Sequence, residues 1–371
     1  MDFSLSEEEQ AVRDLARQIL EATSTHERLR ELEAGEERFD RKSWDELAKA
    51  NLLGIALPED VGGSGLGFVA LAQVLEAVGR TTAMTPVLPS IVMGALPIAE
   101  FGTAEQKKAY VTPAIDGELV LTAALVEPGA EPDEPATTAV RDGDGWRLTG
   151  TKTCVPAGML AGRILVPART ERGDVAVFIL DPAVDGVTRE RQETTSRLIE
   201  AEITMDGALV TEALGAHAGG PEVVRFIVQR GDAAIAAIMT GVCDVALRMT
   251  AEYTKTREQF ERPIATFQAV GQRAADAYVD TEAVRLTAQQ AAWRLGAGLP
   301  AEREVAIAKF WASEGGQRVV HAAQHLHGGM GVDRDYPLHR YFTWARQLEL
   351  TLGSETPQLL ALGALMAAEP A

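Results

Sequence analysis

The strongest constraint on the fold is a change in hydrophobic periodicity that occurs twice along the chain. Apolar residues first recur at helical spacing, as at Val12, Leu15 and Ile19. From Leu119 the pattern changes to short β-rich runs, and after about Pro221 helical spacing returns. Strands without intervening helices favour an antiparallel barrel or sandwich. The chain is therefore predicted to be an α+β protein with a helical domain over 1–118, an antiparallel β domain over 119–222 and a helical bundle over 223–371.

Composition restricts the classes of partner. The 371 residues are 46% hydrophobic, which is ample for globular cores, and the formal net charge is −19. So acidic a surface repels nucleic acid and anionic membranes, and neither is expected as a partner. No basic and apolar leader opens the chain, and no apolar run approaches a bilayer span. The two cysteines, Cys154 and Cys243, suit a reducing cytoplasm, which is the expected location.

Several local patterns predict individual elements. Ser6 followed by Glu9 is typical of a helix-capping box, and Asp142–Gly145 is typical of a hairpin turn. A long helix rich in small residues is predicted over Ala233–Tyr253. Another helix is predicted over Val305–Gln324, with a break at Gly315-Gly316.

The carboxy-terminal part carries the motifs that suggest a family. Gln324–Gly331 reads Gln-His-Leu-His-Gly-Gly-Met-Gly, and Thr351–Ser354 follows about two dozen residues later. This order and spacing resemble the acyl-CoA dehydrogenase family, and the helix–strand–helix order extends the resemblance over essentially the whole chain. The resemblance implies FAD as cofactor and an acyl-CoA as substrate. A glutamate of the family's second motif removes the α-proton of the thioester, and counted without gaps it falls on Leu352. A leucine cannot accept a proton.

The resemblance offers a second base position, which is also empty. A minority of the family place the glutamate on an earlier helix, and this position matches Gly231. Two nearby acids remain as alternative bases. Asp232 is one residue further along, which rotates a side chain by roughly 100° around a helix. Glu355 lies three residues past Leu352. The alternative for both acids is an ordinary surface or capping role.

Four departures from the family pattern fall around the expected flavin ring. The family's Thr and Ser in the Thr-Glu-Pro-x-Ala-Gly-Ser-Asp loop are replaced by Val126 and Pro132. In the following Lys-x-Trp-Ile-Thr strand, Cys154 replaces Trp and Pro156 replaces Thr. Proline offers neither a hydroxyl nor a backbone N–H. The flavin-ring pocket of this chain is therefore predicted to be dismantled.

The half of the cofactor site that a neighbouring subunit contributes in the family is better preserved. The family's Arg-x-Gln-Phe-Gly-x-Pro-Ile motif is present with Arg257, Gln259 and Phe260, followed by Phe267, and only its glycine changes, to Glu261. An arginine suits bidentate contact with phosphate, and a phenylalanine offers an apolar face. These residues are therefore predicted to bind the FAD of a partner subunit.

The Gln324–Gly331 motif belongs to the same half of the site. The family's Gln falls on His325, with Gln324 adjacent, and Gly328 and Gly329 permit a close backbone approach to the nucleotide. His321, His325 and His327 also raise a metal hypothesis. Because no carboxylate or cysteine lies at ligand spacing, no metal site is predicted.

These features predict an acyl-CoA dehydrogenase-like subunit that lacks a base and completes the FAD site of a homologous catalytic partner. It resembles one subunit of the heterotetrameric actinobacterial enzymes, which often act on steroid side-chain thioesters. Two alternatives stay open: a homo-oligomeric dehydrogenase with a displaced base, and a cofactor-free structural protein on the same fold.

Overall fold

A computed structural model describes residues 3–216 and 219–368 of the chain. Residue contacts group it into two compact units: one holds the described parts of Met1–Arg30, Phe68–Ala83 and Asp232–Ala371, and the other holds Glu31–Gly67 and Met84–Gly231. This grouping cuts across the three predicted domains. The boundaries at 118/119 and 222/223 therefore stay predictions.

Helices precede and follow a run of strands. The helices before the strands are α1 (Glu7–Thr23), α2 (His26–Ala34), α3 (Arg41–Lys49), α4 (Gly67–Thr81), α5 (Leu96–Phe101), α6 (Ala104–Gln106) and α7 (Thr112–Ile115). Those after them are α8 (Gly220–Thr256), α9 (Gln268–Gly296), α10 (Glu302–Phe310), α11 (Gly316–His327), α12 (Leu338–Leu350) and α13 (Glu355–Ala368). The Ser6–Glu9 capping box is confirmed at the start of α1.

In the part of the chain between these two groups of helices, seven strands form one sheet. They are β1 (Leu121–Ala123), β2 (Thr138–Asp142), β3 (Gly145–Pro156), β4 (Arg163–Thr170), β5 (Val175–Leu180), β6 (Val187–Glu193) and β7 (Ile199–Val210). Their order is β1-β4-β2-β3-β7-β6, and β5 pairs with β4. The predicted β domain and the hairpin turn at Asp142–Gly145 are confirmed. The sheet is mixed rather than purely antiparallel, because β1 and β2 both run parallel to β4.

Alternation along the strands explains the β-domain core. In β7, the buried Ala201, Ile203 and Met205 alternate with more exposed residues, whereas two register shifts interrupt this alternation in β3. The inward set includes Leu148, Val155, Ile203 and Met205, and it packs around Phe178. Because side chains of a strand point alternately to opposite faces, this period of two fixes which face of β7 is inside. In β3 the register shifts allow Leu148 and Val155, which are seven residues apart, both to face the core.

Small residues bring α4 and α8 into backbone contact. A Cβ atom at Gly79 would lie 1.9 Å from the carbonyl oxygen of Ile238, and one at Gly241 would lie 2.1 Å from that of Glu76. No side chain fits at either position. The small-residue helix predicted over Ala233–Tyr253 is confirmed, and the structure extends it to Gly220–Thr256.

Two expectations about the long helices need correction. Gly315-Gly316 does not break the chain's helical course, because a π-helical stretch at Trp311–Gly315 joins α10 to α11. In addition, α8 contains a window that is long and apolar enough to cross a membrane, and 78% of that window is buried within the protein. The burial accounts for its apolar composition as that of a core helix.

Candidate functional site

The turn after α12 holds the predicted base position. The helix ends at Leu350, and Leu352 follows with a φ of 60°, while Gly353 has a φ of 99°. Left-handed backbone is common just past helix ends and is usually supplied by glycine. Leu352 is partly buried and apolar, so the turn presents no proton acceptor at this position.

Lys309 of α10 stabilises this turn through hydrogen bonds from its buried ammonium group. Its side chain is fully buried, and its Nζ donates to the carbonyl oxygens of Glu349 at 2.9 Å and Gly353 at 2.5 Å. It also lies 3.2 Å from the carbonyl of Leu348 and 3.1 Å from the hydroxyl of Ser313. A cation at the carboxyl end of a helix is favoured by the exposed carbonyls there. One ammonium group therefore ties the end of α12 to the turn that carries Leu352.

Both acids considered as alternative bases lie around Lys309. Asp232 on α8 is 3% exposed, Gln358 of α13 hydrogen-bonds to its carboxyl, and its Oδ1 atom has no hydrogen-bond partner. Burial raises the pKa of Asp232, while the charge of Lys309 acts to lower it. Burial also lowers the pKa of Lys309, against the opposing charges of Asp232, Glu349 and Glu355. Asp232 acts as a buried counter-charge to Lys309 through electrostatic interaction, without a direct ion pair between the two described side chains. Gly231 beside it is buried without a side chain.

Sequence reasoning missed Lys309. The available signal was a single lysine in the apolar run Val305–Ala312, a position where a charge needs a partner. The sequence showed neither that the partner carbonyls come from α12 nor that α8 supplies the counter-charge.

His327 anchors the glycine motif at the end of α11. Its Nδ1 donates to the carbonyl of Ala323 at 2.8 Å, and its Nε2 accepts from the Tyr336 hydroxyl at 3.2 Å. The imidazole also stacks on Tyr253, with ring centroids 4.3 Å apart. Burial lowers the pKa of His327, which favours this neutral tautomer. His327 therefore has a structural role, and both of its nitrogens are occupied.

The glycines that follow are open to solvent. Gly328 has a φ of 59°, and a Cβ at either Gly328 or Gly329 would meet no atom within 4 Å. Gln324 is partly buried, and His325 is exposed. Among the described residues, no group of three or more His, Cys, Asp or Glu side chains is arranged to hold a metal ion.

A small hairpin carries the preserved arginine motif. Two short strands, β8 (Glu258–Gln259) and β9 (Arg262–Pro263), pair around a two-residue turn. Phe260 in the turn is 87% exposed, and its ring meets that of Phe267 edge to face at 6.1 Å. The Arg262 guanidinium lies 4.2 Å from the centroid of Phe267. Arg257 and Gln259 are also exposed, so the hairpin and the residues next to it present three of the four predicted residues to solvent, with Phe267 partly exposed beside them.

In the β domain, the backbone donors beside Cys154 are already bonded. A bulge shifts the β3–β7 register between Lys152 and Val155, and Cys154 takes a φ of 51° there. The N–H of Thr153 donates to the carbonyl of Val126 at 3.0 Å, and the N–H of Cys154 donates to the Gln192 side chain at 2.7 Å. Neither donor is left for a ligand.

A buried ion pair closes the neighbouring loop. Lys152 is fully buried and donates to the carboxylate of Glu127, which also accepts the N–H of Ala136 at 2.7 Å and of Thr137 at 3.1 Å. Sequence reasoning noted Lys152 only as part of a motif. The pair fixes both ends of the loop that carries Pro132.

The β domain also contains an open cavity of about 1350 Å³. Its charged lining consists of Arg141, Arg169, Arg172, Asp133, Glu134, Glu171 and Asp174. With four carboxylates against three guanidinium groups, the lining has no excess positive charge to attract a polyanion.

Comparison with known proteins agrees with this architecture. The family model of the acyl-CoA dehydrogenase N-terminal domain matches residues 6–118, and that of the C-terminal domain matches residues 219–366. The acyl-CoA dehydrogenase FadE27 of Mycobacterium tuberculosis is 41% identical over 379 aligned positions covering 100% of both chains.

Chains of two solved structures have similar sequence identity to this protein and the same fold. A chain from the ChsE4-ChsE5 complex of Mycobacterium tuberculosis is 42% identical, with a TM-score of 0.95 and 100% coverage of both chains. A chain from the Tcur3481-Tcur3483 steroid ACAD G363A variant is 45% identical, with a TM-score of 0.92, covering 98% of this chain and 99% of that one. The protein therefore belongs to the acyl-CoA dehydrogenase family of oxidoreductases.

Proposed function

We propose that this chain is one subunit of an FAD-dependent complex that introduces an α,β double bond into an acyl-CoA, and that a homologous partner supplies the base. The observation that carries this proposal is Leu352 on a well-formed turn. The reaction needs a carboxylate to remove the α-proton while FAD accepts the hydride from the β-carbon. Leu352 and Gly231 provide none at either family position, and Asp232 is buried against Lys309.

The hairpin and the glycine motif fit the phosphate and adenosine half of FAD. Arg257 is exposed and has the geometry for bidentate phosphate contacts, and Phe260 offers an exposed ring. Gly328 and Gly329 leave open space that any side chain would fill. These groups lie on the surface, where an FAD held mainly by a partner chain is accessible to them.

The β domain fits the flavin ring poorly. The hydroxyls of the family pattern are absent at Val126 and Pro132, and the N–H groups of Thr153 and Cys154 are bonded within the domain. A flavin ring needs donors for its polar edge, because an unsatisfied acceptor in a dry pocket costs about 1–3 kcal/mol. The mismatch supports an FAD whose ring is held by the partner.

An unburied apolar helix supports association with another chain. Helix α13 contains one charged residue, Glu355, and only Gln358 is buried among its fourteen residues. Leu360 and Met366 are 71% and 61% exposed. Such apolar surface on an otherwise acidic chain is typical of a protein interface.

The names of the similar proteins support a heteromeric assembly and a bulky substrate. One similar chain comes from the ChsE4-ChsE5 complex, and another comes from a steroid ACAD of two named components. The proposal extends to a heterotetramer, to a steroid side-chain thioester as substrate, and to a cytoplasmic location.

The test is flavin content. The chain purified alone should be nearly colourless and should not oxidise acyl-CoAs, whereas co-expression with a homologous chain of the same host that carries a base glutamate should yield a yellow, active complex. Stoichiometric flavin with turnover in the chain alone would favour the homo-oligomeric enzyme with Asp232 or Glu355 as base. Absence of flavin from both preparations would favour a structural protein.

A further inference from the structure

The turn of the β8–β9 hairpin is strained at two consecutive positions. Phe260 has a φ of 54° and Glu261 a φ of 64°. Two-residue hairpin turns with positive φ at both positions favour Asn-Gly or Gly-Gly. A side chain in left-handed backbone costs about 1–2 kcal/mol at each residue. A glycine at position 261 would remove the cost there, so the glutamate needs an explanation.

The described part of the chain gives Glu261 no compensating contact. Its side chain is exposed and makes no hydrogen bond or ion pair with any residue that the structure describes. The neighbouring Arg262 is stacked over Phe267 instead of meeting the carboxylate. Residues in strained backbone conformations are concentrated at active sites, ligand clamps and switch regions.

The charge of Glu261 indicates which kind of partner it meets. A carboxylate on the hairpin that carries Arg257 is repelled by phosphate, so FAD is a poor match for it. A second copy of this chain is a poor match as well, because each copy carries 35 basic against 54 acidic residues. A different chain that presents an arginine or lysine is complementary to it.

We infer that Glu261 selects the homologous partner subunit by pairing with a cationic side chain of that subunit at the rim of the shared cofactor site. This inference rests on the proposed function and adds a partner-selecting residue to it. The two-residue turn places Glu261 at the exposed tip of the hairpin, where it is accessible to another subunit.

The experiment measures association of this chain with its base-carrying homologue, with and without FAD, at low and high salt. Glu261→Gln keeps the Cβ and the backbone strain but removes the charge, and should weaken association about 2- to 5-fold at low salt. Glu261→Lys should weaken it at least about 30-fold, because like charges then face each other. Glu302→Gln, at an exposed position on α10, is the matched control and should change nothing.

Glu261→Gly separates strain from charge. It should raise the unfolding temperature of the free chain while weakening association as much as Glu261→Gln does. Wild-type affinity in both the Gln and Lys variants would overturn the inference and leave the heteromeric function standing. So would a change confined to FAD retention, which would place Glu261 against the cofactor. A wild-type chain that forms no heteromer would overturn both.

Discussion

Lys309→Met should loosen the turn that carries Leu352 and destabilise the chain far more than loss of a surface lysine. The methionine has a similar length but removes the ammonium that contacts the carbonyls of Glu349 and Gly353. It also leaves Asp232 buried without its cation. A hydrogen bond from a charged donor contributes about 1.5–3 kcal/mol, and the variant loses two of them, so we expect a loss of about 3–5 kcal/mol near neutral pH.

The stability that Lys309→Met loses should depend on pH, and the pKa of Asp232 determines the direction of that dependence. Burial raises the pKa of this carboxyl from its ordinary 3.8 to about 7, so the folded chain binds its proton more tightly than the unfolded chain does. Its contribution to stability is therefore greatest at acidic pH and declines as pH rises from about 4 to about 7. Without Lys309 the pKa rises further, so the variant should lose stability over a wider range that extends above pH 7.

The assay is chemical unfolding followed by circular dichroism between pH 5 and 8, with hydrogen exchange of the peptide that spans 346–358. The amides of Thr351 and Gly353, which bond to Gln347 and Leu350, should lose protection. The control is Lys255→Met, which removes an ion pair with Glu252 whose lysine is 62% exposed.

The control should cost less than about 1 kcal/mol. Adding Asp232→Asn to Lys309→Met should restore part of the stability, since no charge then remains to be buried. Equal losses for Lys309→Met and Lys255→Met, with unchanged exchange at the turn, would refute the assignment of Lys309 as its anchor.

Three further outcomes are expected. Arg257→Ala should weaken FAD retention by the complex about 10- to 150-fold, because it removes roughly 1.5–3 kcal/mol of charge-assisted contact. The control Arg273→Ala should leave FAD retention unchanged, and equal retention in both variants would mean that the motif is only structural. Leu352→Glu in the chain alone should give negligible dye-linked oxidation of acyl-CoAs, because restoring the carboxylate recovers little activity when the flavin pocket is incomplete. Robust turnover would show that the flavin pocket is intact. Gly241→Ala should lower the free energy of unfolding by about 1–3 kcal/mol, because the new Cβ meets the Glu76 carbonyl. The control Gly363→Ala has open space around it and should be neutral or slightly stabilising. Similar effects of the two substitutions on stability would contradict the close crossing of α4 and α8.

The sequence by itself determined the order of the architecture and the identity of the family. Periodicities of 3.6 and 2 are local properties, so they predicted helices before and after a β domain, the Ser6 cap and the hairpin at Asp142–Gly145. The prediction that Leu352 occupies the base position also comes from the sequence alone, because it depends only on counting along the chain.

The tertiary structure decided what surrounds those positions. Three of these interactions join residues that are 38 to 77 positions apart in sequence. Lys309 caps the end of α12, Asp232 is its buried counter-charge, and the Gln192 side chain accepts the N–H of Cys154. The parallel pairing of β1 and β2 with β4 is likewise a long-range choice that strand patterns do not encode. Burial and hydrogen-bond satisfaction arise only when distant segments meet. The strained turn at Glu261 is local, but Phe260 and Glu261 are not residues that favour positive φ, so only the backbone angles of the structure revealed it.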